Sequence, residues 1–207
     1  MNKLIKLFFG FVYLSFSAQQ REIHIPREDF KKDLEPKVMY AADHLDILTY
    51  IESRKTPYKL IYTFTSWCKP CKEEHPLVRA FEERYKDKLS VVYFMEIYDE
   101  KKYEYVDAHK YLQDVQNTAP IFVMKNYPEF EVKGKKNKYK YLVSDAEGKM
   151  KRASRYWYLT QKLVPGHGLY GYGLMILYDE KNRVIYSSTY KETKEEIFAK
   201  LEKYINH

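Results

Sequence analysis

Cys68 and Cys71 are the only cysteines in a chain of 207 residues, and they stand together in Trp67-Cys68-Lys69-Pro70-Cys71. Two thiols at this spacing can pass one disulfide between them. The first attacks a disulfide as a thiolate and forms a mixed disulfide, and the second attacks the first and releases the product. The pair lies where an apolar run hands over to an amphipathic one, so it is expected at the N-terminus of a helix. There the unpaired N–H groups and the positive end of the helix dipole favour an anion at Cys68. Lys69 adds a neighbouring positive charge, and Pro70 suits a first helical turn, where its missing N–H is not needed. Cys68 is therefore the expected nucleophile and Cys71 the resolving thiol. The competing explanation is two unrelated buried thiols beside a tryptophan.

The elements that must position the pair can be read around it. Tyr58 to Thr65 reads as a buried strand, and Lys69 to Tyr85 as a helix with Leu77, Val78, Phe81 and Tyr85 at helical spacing. Leu89 to Tyr98 reads as a second strand and Lys101 to Val115 as a second, charged helix. This β-α-β-α order implies right-handed crossovers and parallel strands. Upstream, Tyr40 to Arg54 is expected to be a helix, through Leu45, Ile47, Leu48 and Ile51. Downstream, Leu174 to Tyr178 and Arg183 to Ser188 read as a hairpin around Asp179 to Asn182. A last helix follows from Thr193-Lys194-Glu195-Glu196, which has capping-box spacing, and is expected to bury Ile197, Leu201, Tyr204 and Ile205.

The run Leu60-Ile61-Tyr62-Thr63-Phe64-Thr65-Ser66-Trp67-Cys68-Lys69-Pro70-Cys71 resembles the strand and active-site turn of the thioredoxin superfamily. The continuation Lys72-Glu73-Glu74-His75-Pro76-Leu77 is similar to that of exported thioredoxin-like oxidoreductases of the TlpA/ResA type, in which the proline kinks the active-site helix. The resemblance is close over about residues 58 to 90 and loose beyond. It implies an α/β thioredoxin-like fold, a central mixed sheet flanked by helices. It also implies thiol-disulfide exchange with protein substrates and an upstream electron donor or acceptor, more in the manner of a reductant. No cofactor is expected, because the dithiol carries both electrons.

Two departures from that family are visible. A cis-proline normally faces the cysteine pair at the start of the closing hairpin, but counting back from Asp179 puts Gly173 in this place, after Tyr172. The rival is Pro120, in Thr118-Ala119-Pro120-Ile121-Phe122, which also precedes a strand. Trp67, Tyr172, Gly173 and Pro120 are thus the candidate substrate-contacting residues. The glycines from Gly166 to Gly173 give either a flexible groove wall or a mobile connection. The second departure is Tyr62, which stands six residues before Cys68, where many thioredoxins carry a buried acid. Proton transfer is then left to Glu96, to another acid or to water.

The first residues read as a secretory signal, with Lys3 and Lys6 before the apolar run from Leu7 to Phe16 and a cut expected after Ala18. The run is shorter than the about 20 residues a spanning helix needs. An exported, periplasmic or secreted protein is expected, with residues 1–18 as signal, 19–38 as an N-terminal arm and 39–207 as one thioredoxin-like domain. Both cysteines lie in one tight turn, so their bridge closes almost no loop and serves chemistry rather than stability. The composition, 45% hydrophobic and 31% charged, is that of a globular chain.

About residues 125 to 171 form an expected β-rich insertion before the last hairpin, with strands at Tyr139 to Ser144 and Lys149 to Ser154 around Ala146-Glu147-Gly148. The net charge is +7, and between Lys133 and Arg152 eight Lys or Arg face Asp145 and Glu147. Lysines interleaved with Tyr139 and Tyr141 fit a solvated hairpin edge better than a nucleic-acid track. The 22 tyrosines are spread over strands and turns, as packing residues are. His75 could join the two cysteines as a metal ligand, which keeps a copper or zinc metallochaperone as an alternative, but a partly exposed helix position accounts for it. Glu73 and Glu74 could steer protons near the thiols, or stand in the first turns for dipole reasons alone. A third reading is a thioredoxin-fold docking module in which exchange is incidental.

Overall fold

A computed structural model describes residues 21–97, 104–125, 141–144, 147–165 and 171–206. The expected signal at 1–18, and most of the lysine-rich part of the insertion, lie outside these residues.

Strands β2 (Tyr58–Phe64) and β3 (Leu89–Met95) are almost unbroken apolar runs. Runs of that kind suit strands covered on both faces. They pair in parallel, Tyr62 opposite Tyr93 and Phe64 opposite Met95. Around them a six-stranded sheet takes the order β1-β4-β3-β2-β7-β8, with β1 (Met39–Ala42), β4 (Ile121–Met124), β7 (Met175–Tyr178) and β8 (Val184–Ser187). The first four are parallel, and β7 runs against both β2 and β8. Helices α1 (His44–Ser53), α2 (Lys69–Arg84), α3 (Glu104–Asp114), α4 (Arg155–Leu163) and α5 (Lys194–Asn206) cover it.

Alternation along each strand sorts the core into two layers. Leu60, Tyr62 and Phe64 of β2, with Val91, Tyr93 and Met95 of β3, meet Val78 and Phe81 of α2, Tyr111 of α3 and Leu201 of α5. Ile61, Val92, Phe94 and Ile176 point the other way, to Ile47 and Ile51 of α1 and Leu159 of α4. Tyr141, Val143 and Ala153 join this second layer. They belong to the antiparallel pair β5 (Tyr141–Ser144) and β6 (Met150–Ala153), the hairpin expected in the insertion.

Three local expectations are corrected. Tyr40 does not begin a helix, because Met39 to Ala42 form an edge strand in register with Ile121 to Met124. The helix starts only at Asp43, whose carboxylate accepts the N–H groups of Leu45 and Asp46 and ends the strand by capping. The aromatic cluster Tyr156-Trp157-Tyr158 is helical, not part of a β-rich segment. Ser154 caps α4 by accepting the Trp157 N–H, and Tyr156, Leu159 and Leu163 line its buried side. Tyr204 lies 40% exposed on α5 rather than in the core. The capping box at Thr193 and Glu196 is formed in both directions.

Asp46 ties the N-terminal arm to the domain. It is 1% exposed and accepts hydrogen bonds from Arg27 Nε at 2.9 Å, Lys125 Nζ at 2.6 Å and the Asp43 N–H at 3.0 Å. Burial alone would raise its titration, but these donors outweigh it and hold the carboxyl below the usual aspartate range. Replacing Asp46 with Ala leaves Arg27 and Lys125 without their shared anion and removes half of a capping box. The expected cost is about 3 kcal/mol of unfolding free energy, read as a lowered urea midpoint with an unchanged slope.

Candidate active site

Chain geometry puts the two cysteines at the carboxyl edge of the parallel strands. Four residues past the end of β2, Cys68 takes an extended backbone and caps α2, and its Sγ accepts the Cys71 N–H at 3.2 Å. The amide that would stabilise a thiolate at Cys68 is therefore already aimed at the sulfur. The two sulfurs form a disulfide with a Cα–Cα separation of 5.3 Å. Cys68 is partly accessible, whereas Cys71 is fully buried. This asymmetry matches an attacking thiol in front and a resolving thiol behind.

Gly173 stands against the back of the pair. Its φ is +94°, a region that costs most side chains energy, and its N–H donates to the Thr63 carbonyl at 2.8 Å. A Cβ there would fall 3.0 Å from Glu74 Oε2 and 4.0 Å from Cys71 Sγ. Tyr172 turns its ring edge-on to Trp67, centroids 4.9 Å apart, and its hydroxyl donates to the Glu96 carboxylate. Trp67 itself is 59% exposed beside Cys68. Pro120 lies elsewhere. It leads into β4, two strands from β2, and the next residue, Ile121, is level with Tyr93 and hence Tyr62, below the edge that carries the thiols. The structure thus brings Trp67, Tyr172 and Gly173 together with the cysteines and leaves Pro120 apart.

The acid beside Cys71 is Glu74, one turn further along α2. It is 6% exposed, and burial pushes its carboxyl up to about 7 against the opposing pull of Lys194 and the Tyr62 hydroxyl. The Tyr62 phenol also donates to the Cys71 carbonyl at 3.0 Å and so braces the turn that holds Glu74. Glu73 points outward to Lys194 at 3.2 Å, and Lys72 pairs with Asp114 at 2.6 Å. Glu96 is occupied by Tyr172. Helical spacing could have found Glu74, since Cys71, Glu74 and Val78 share the buried side of α2. A cleft of about 320 Å³ opens over this group, lined by Pro70, Glu74, Tyr172, Gly173, Tyr190 and Lys194.

His75 corrects an expectation. It is fully buried, packed among Tyr62, Phe64, Tyr93 and Tyr111 at centroid distances of 5.1 to 5.9 Å, with Nε2 3.4 Å from Asn117 Oδ1. Burial lowers its titration to about 4 despite the Asn117 bond, which fixes it as a neutral ring of the core. Among the described residues no cluster of three or more His, Cys, Asp or Glu could hold a metal ion. His167, the residue that could have added a fourth ligand, falls outside them.

No protein-family model matches the chain, and no curated protein matches it in sequence. Solved structures do. A thiol-disulfide isomerase from Corynebacterium glutamicum superposes with a TM-score of 0.50 at 12% identity, over 76% of this chain and 85% of that one. The fold is thioredoxin-like. A thioredoxin-like protein in its oxidised form gives 16% identity over 72% of this chain and 78% of that one, with a TM-score of 0.47. StoA from Bacillus subtilis gives 15% over 70% and 81%, with a TM-score of 0.41. In this thioredoxin-like domain the cysteine pair occupies the turn between the central strand and the helix that follows it.

Glu74 and His75 make opposite contributions to stability against pH. Glu74 titrates higher in the fold than in the open chain, so its contribution is full below about pH 4.5 and is lost as pH rises through 7. His75 titrates lower, so its contribution is full above about pH 6.5 and is lost as pH falls towards 4. Each swing is about 3 kcal/mol, and over the shared window they offset one another. Urea titrations from pH 4 to 7.5 should show stability rising with pH in Glu74→Gln and falling in His75→Phe, relative to a flatter wild type. Three parallel curves would mean that neither group is buried in its neutral form.

Proposed function

We propose that the protein is an exported thiol-disulfide oxidoreductase that reduces disulfides of other proteins through Cys68 and Cys71. The observation that carries this reading is the arrangement at the turn: a disulfide whose outer Cys68 caps a helix and whose inner Cys71 faces the bare Gly173 together with the buried Glu74 carboxyl. A structural disulfide needs no such acid. In the reduced protein, the Cys68 thiolate attacks one sulfur of a substrate disulfide. The substrate's other sulfur leaves as a thiolate and takes a proton from water. Glu74, ionised, accepts the proton of the Cys71 thiol. Cys71 then attacks Cys68 Sγ, the second substrate sulfur leaves, and Glu74 returns the proton to it. Two electrons pass to the substrate, and the protein is left as the disulfide described above.

Trp67, Tyr172 and Gly173 form the wall on which the substrate chain lies. Gly173 adds no side chain over the sulfurs, and the exposed Trp67 offers an apolar face beside Cys68. Export rests on the signal-like residues 1–18, and a solved neighbour is an exposed lipoprotein thioredoxin from Streptococcus pneumoniae. Among the described residues no helix is long and apolar enough to cross a membrane.

The reading is tested by equilibrating residues 19–207 in glutathione buffers and counting alkylated thiols by mass. A reversible two-electron transition between about −270 and −120 mV is expected, nearer the low end for a reductant. Cys71→Ser should accumulate a mixed disulfide through Cys68. Glu74→Gln should slow single-turnover reduction of a protein disulfide about 100-fold at pH 7 and remove the inflection near pH 7 from the rate profile. A pair that never equilibrates with glutathione overturns the proposal and leaves a docking module. A reduced pair held from oxidation by copper or zinc overturns it in favour of metal delivery.

A further inference from the structure

Residues 171–174 wall the disulfide, yet Gly171 and Gly173 have no side chains with which to hold themselves in place. Gly173 and Leu174 pair with β2 through the backbone, the Gly173 N–H donating to the Thr63 carbonyl at 2.8 Å and the Thr63 N–H to the Leu174 carbonyl at 2.9 Å, and the side-chain hold comes from α4, in the inserted segment. The Tyr156 hydroxyl is 2.8 Å from Thr63 Oγ1. Thr63 Oγ1 in turn accepts the Leu174 N–H at 3.0 Å and lies 3.3 Å from the Leu174 carbonyl. The Tyr156 hydroxyl also reaches the Gly171 carbonyl at 3.5 Å. One phenol therefore bonds the Gly171 end of the wall directly and braces, at Thr63, the side chain that bonds the Leu174 end.

The same ring carries the contact outward. Tyr156 packs at a tilt against Tyr172 at a centroid distance of 4.7 Å, and Tyr172 meets Trp67 edge-on at 4.9 Å. Tyr156 is 6% exposed and Trp67 is 59% exposed, so the row runs from the core to the rim of the cysteine pair. Its buried end is itself fixed. Ser154 caps α4, and Arg155 donates from its guanidinium to the Ile97 carbonyl, just past β3. Edge-on and tilted aromatic pairs attract beyond their burial, which biases where an exposed ring rests.

We propose that Tyr156 is a positioning residue of the Cys68–Cys71 site, through which the inserted segment holds the 171–174 wall and the Trp67 ring in the arrangement that receives a protein disulfide. The proposal rests on the oxidoreductase reading above. It assigns the insertion a task at the site: docking of a chain, not the chemistry of the sulfurs. A small disulfide, which needs no wall, is the matching control.

The test compares wild type, Tyr156→Phe, Thr63→Val and Thr63→Ser. Tyr156→Phe keeps the ring row and loses the hydroxyl; Thr63→Val removes the other half of that bond; Thr63→Ser restores it. Single-turnover reduction of insulin by the reduced protein should slow about tenfold in Tyr156→Phe and Thr63→Val and return to within twofold of wild type in Thr63→Ser. Reaction with glutathione disulfide, and the equilibrium with glutathione, should stay within twofold in Tyr156→Phe. Amide exchange at Gly173 and Leu174 should quicken about tenfold in that variant, with α5 unchanged.

Insulin reduction at the wild-type rate in Tyr156→Phe overturns the proposal. So does a parallel loss on both disulfides with a lowered urea midpoint, because a merely structural role predicts that result. A wild-type protein that reacts with neither disulfide overturns the oxidoreductase reading itself, and is told apart by needing no variant.

Discussion

A carboxyl group buried one turn beyond a cysteine constrains everything around the pair. Glu74 must be kept largely out of water for its titration to stand as high as about 7, and it must share with Cys71 the space in front of residue 173. The first demand sets the phase of α2, because Cys71, Glu74 and Val78 have to face the sheet together. The second demand excludes a side chain at residue 173, where a Cβ would press on the carboxylate at 3.0 Å. A proline could not stand there either, since its ring fixes φ near −65° and Gly173 has φ +94°. The glycine and the acid are therefore one feature seen from two elements.

Two adjacent residues of α2 are buried in their neutral forms, and their titrations are displaced in opposite directions. Glu74 borders the cleft and feels the Lys194 charge and the Tyr62 hydroxyl, whereas His75 has four aromatic rings and one amide. Burial acts on both in the same sense, against charge, but one group is an acid and the other a base. Over the window between their open-chain values, folding neither takes up nor releases much proton.

Much of this was legible in the chain, for definite reasons. Strands β2 and β3 announce themselves because a parallel strand covered on both faces is apolar at every position, and the Trp-Cys-Lys-Pro-Cys turn carries its own capping chemistry. The placement of Gly173 followed from counting back from Asp179, whose carboxylate organises the next turn by accepting the N–H groups of Lys181 and Arg183. What stayed hidden depends on partners far away in sequence. Met39 to Ala42 are a strand only because β4 lies beside them. His75 is a core ring only because Tyr93 and Tyr111 enclose it. Tyr156-Trp157-Tyr158 suits a strand by composition, and only the Ser154 cap and the spacing to Leu159 and Leu163 mark it as helical.

The inserted segment solves a packing problem before it does anything else. A sheet with apolar residues on both faces needs two covering layers. On one face α2, α3 and α5 suffice. On the other, α1 is ten residues long and leaves Ile176 and Tyr178 of β7 without a cover unless another element supplies one. Helix α4 and the β5–β6 pair fill that space, and Tyr178 closes the joint by donating its hydroxyl to the Leu163 carbonyl. Because β7 begins at the wall of the cysteine pair, whatever covers β7 also lies beside that wall. An element that buries the second face is therefore also in contact with Thr63, Gly171 and Tyr172, through the ring and hydroxyl of its first buried tyrosine, Tyr156.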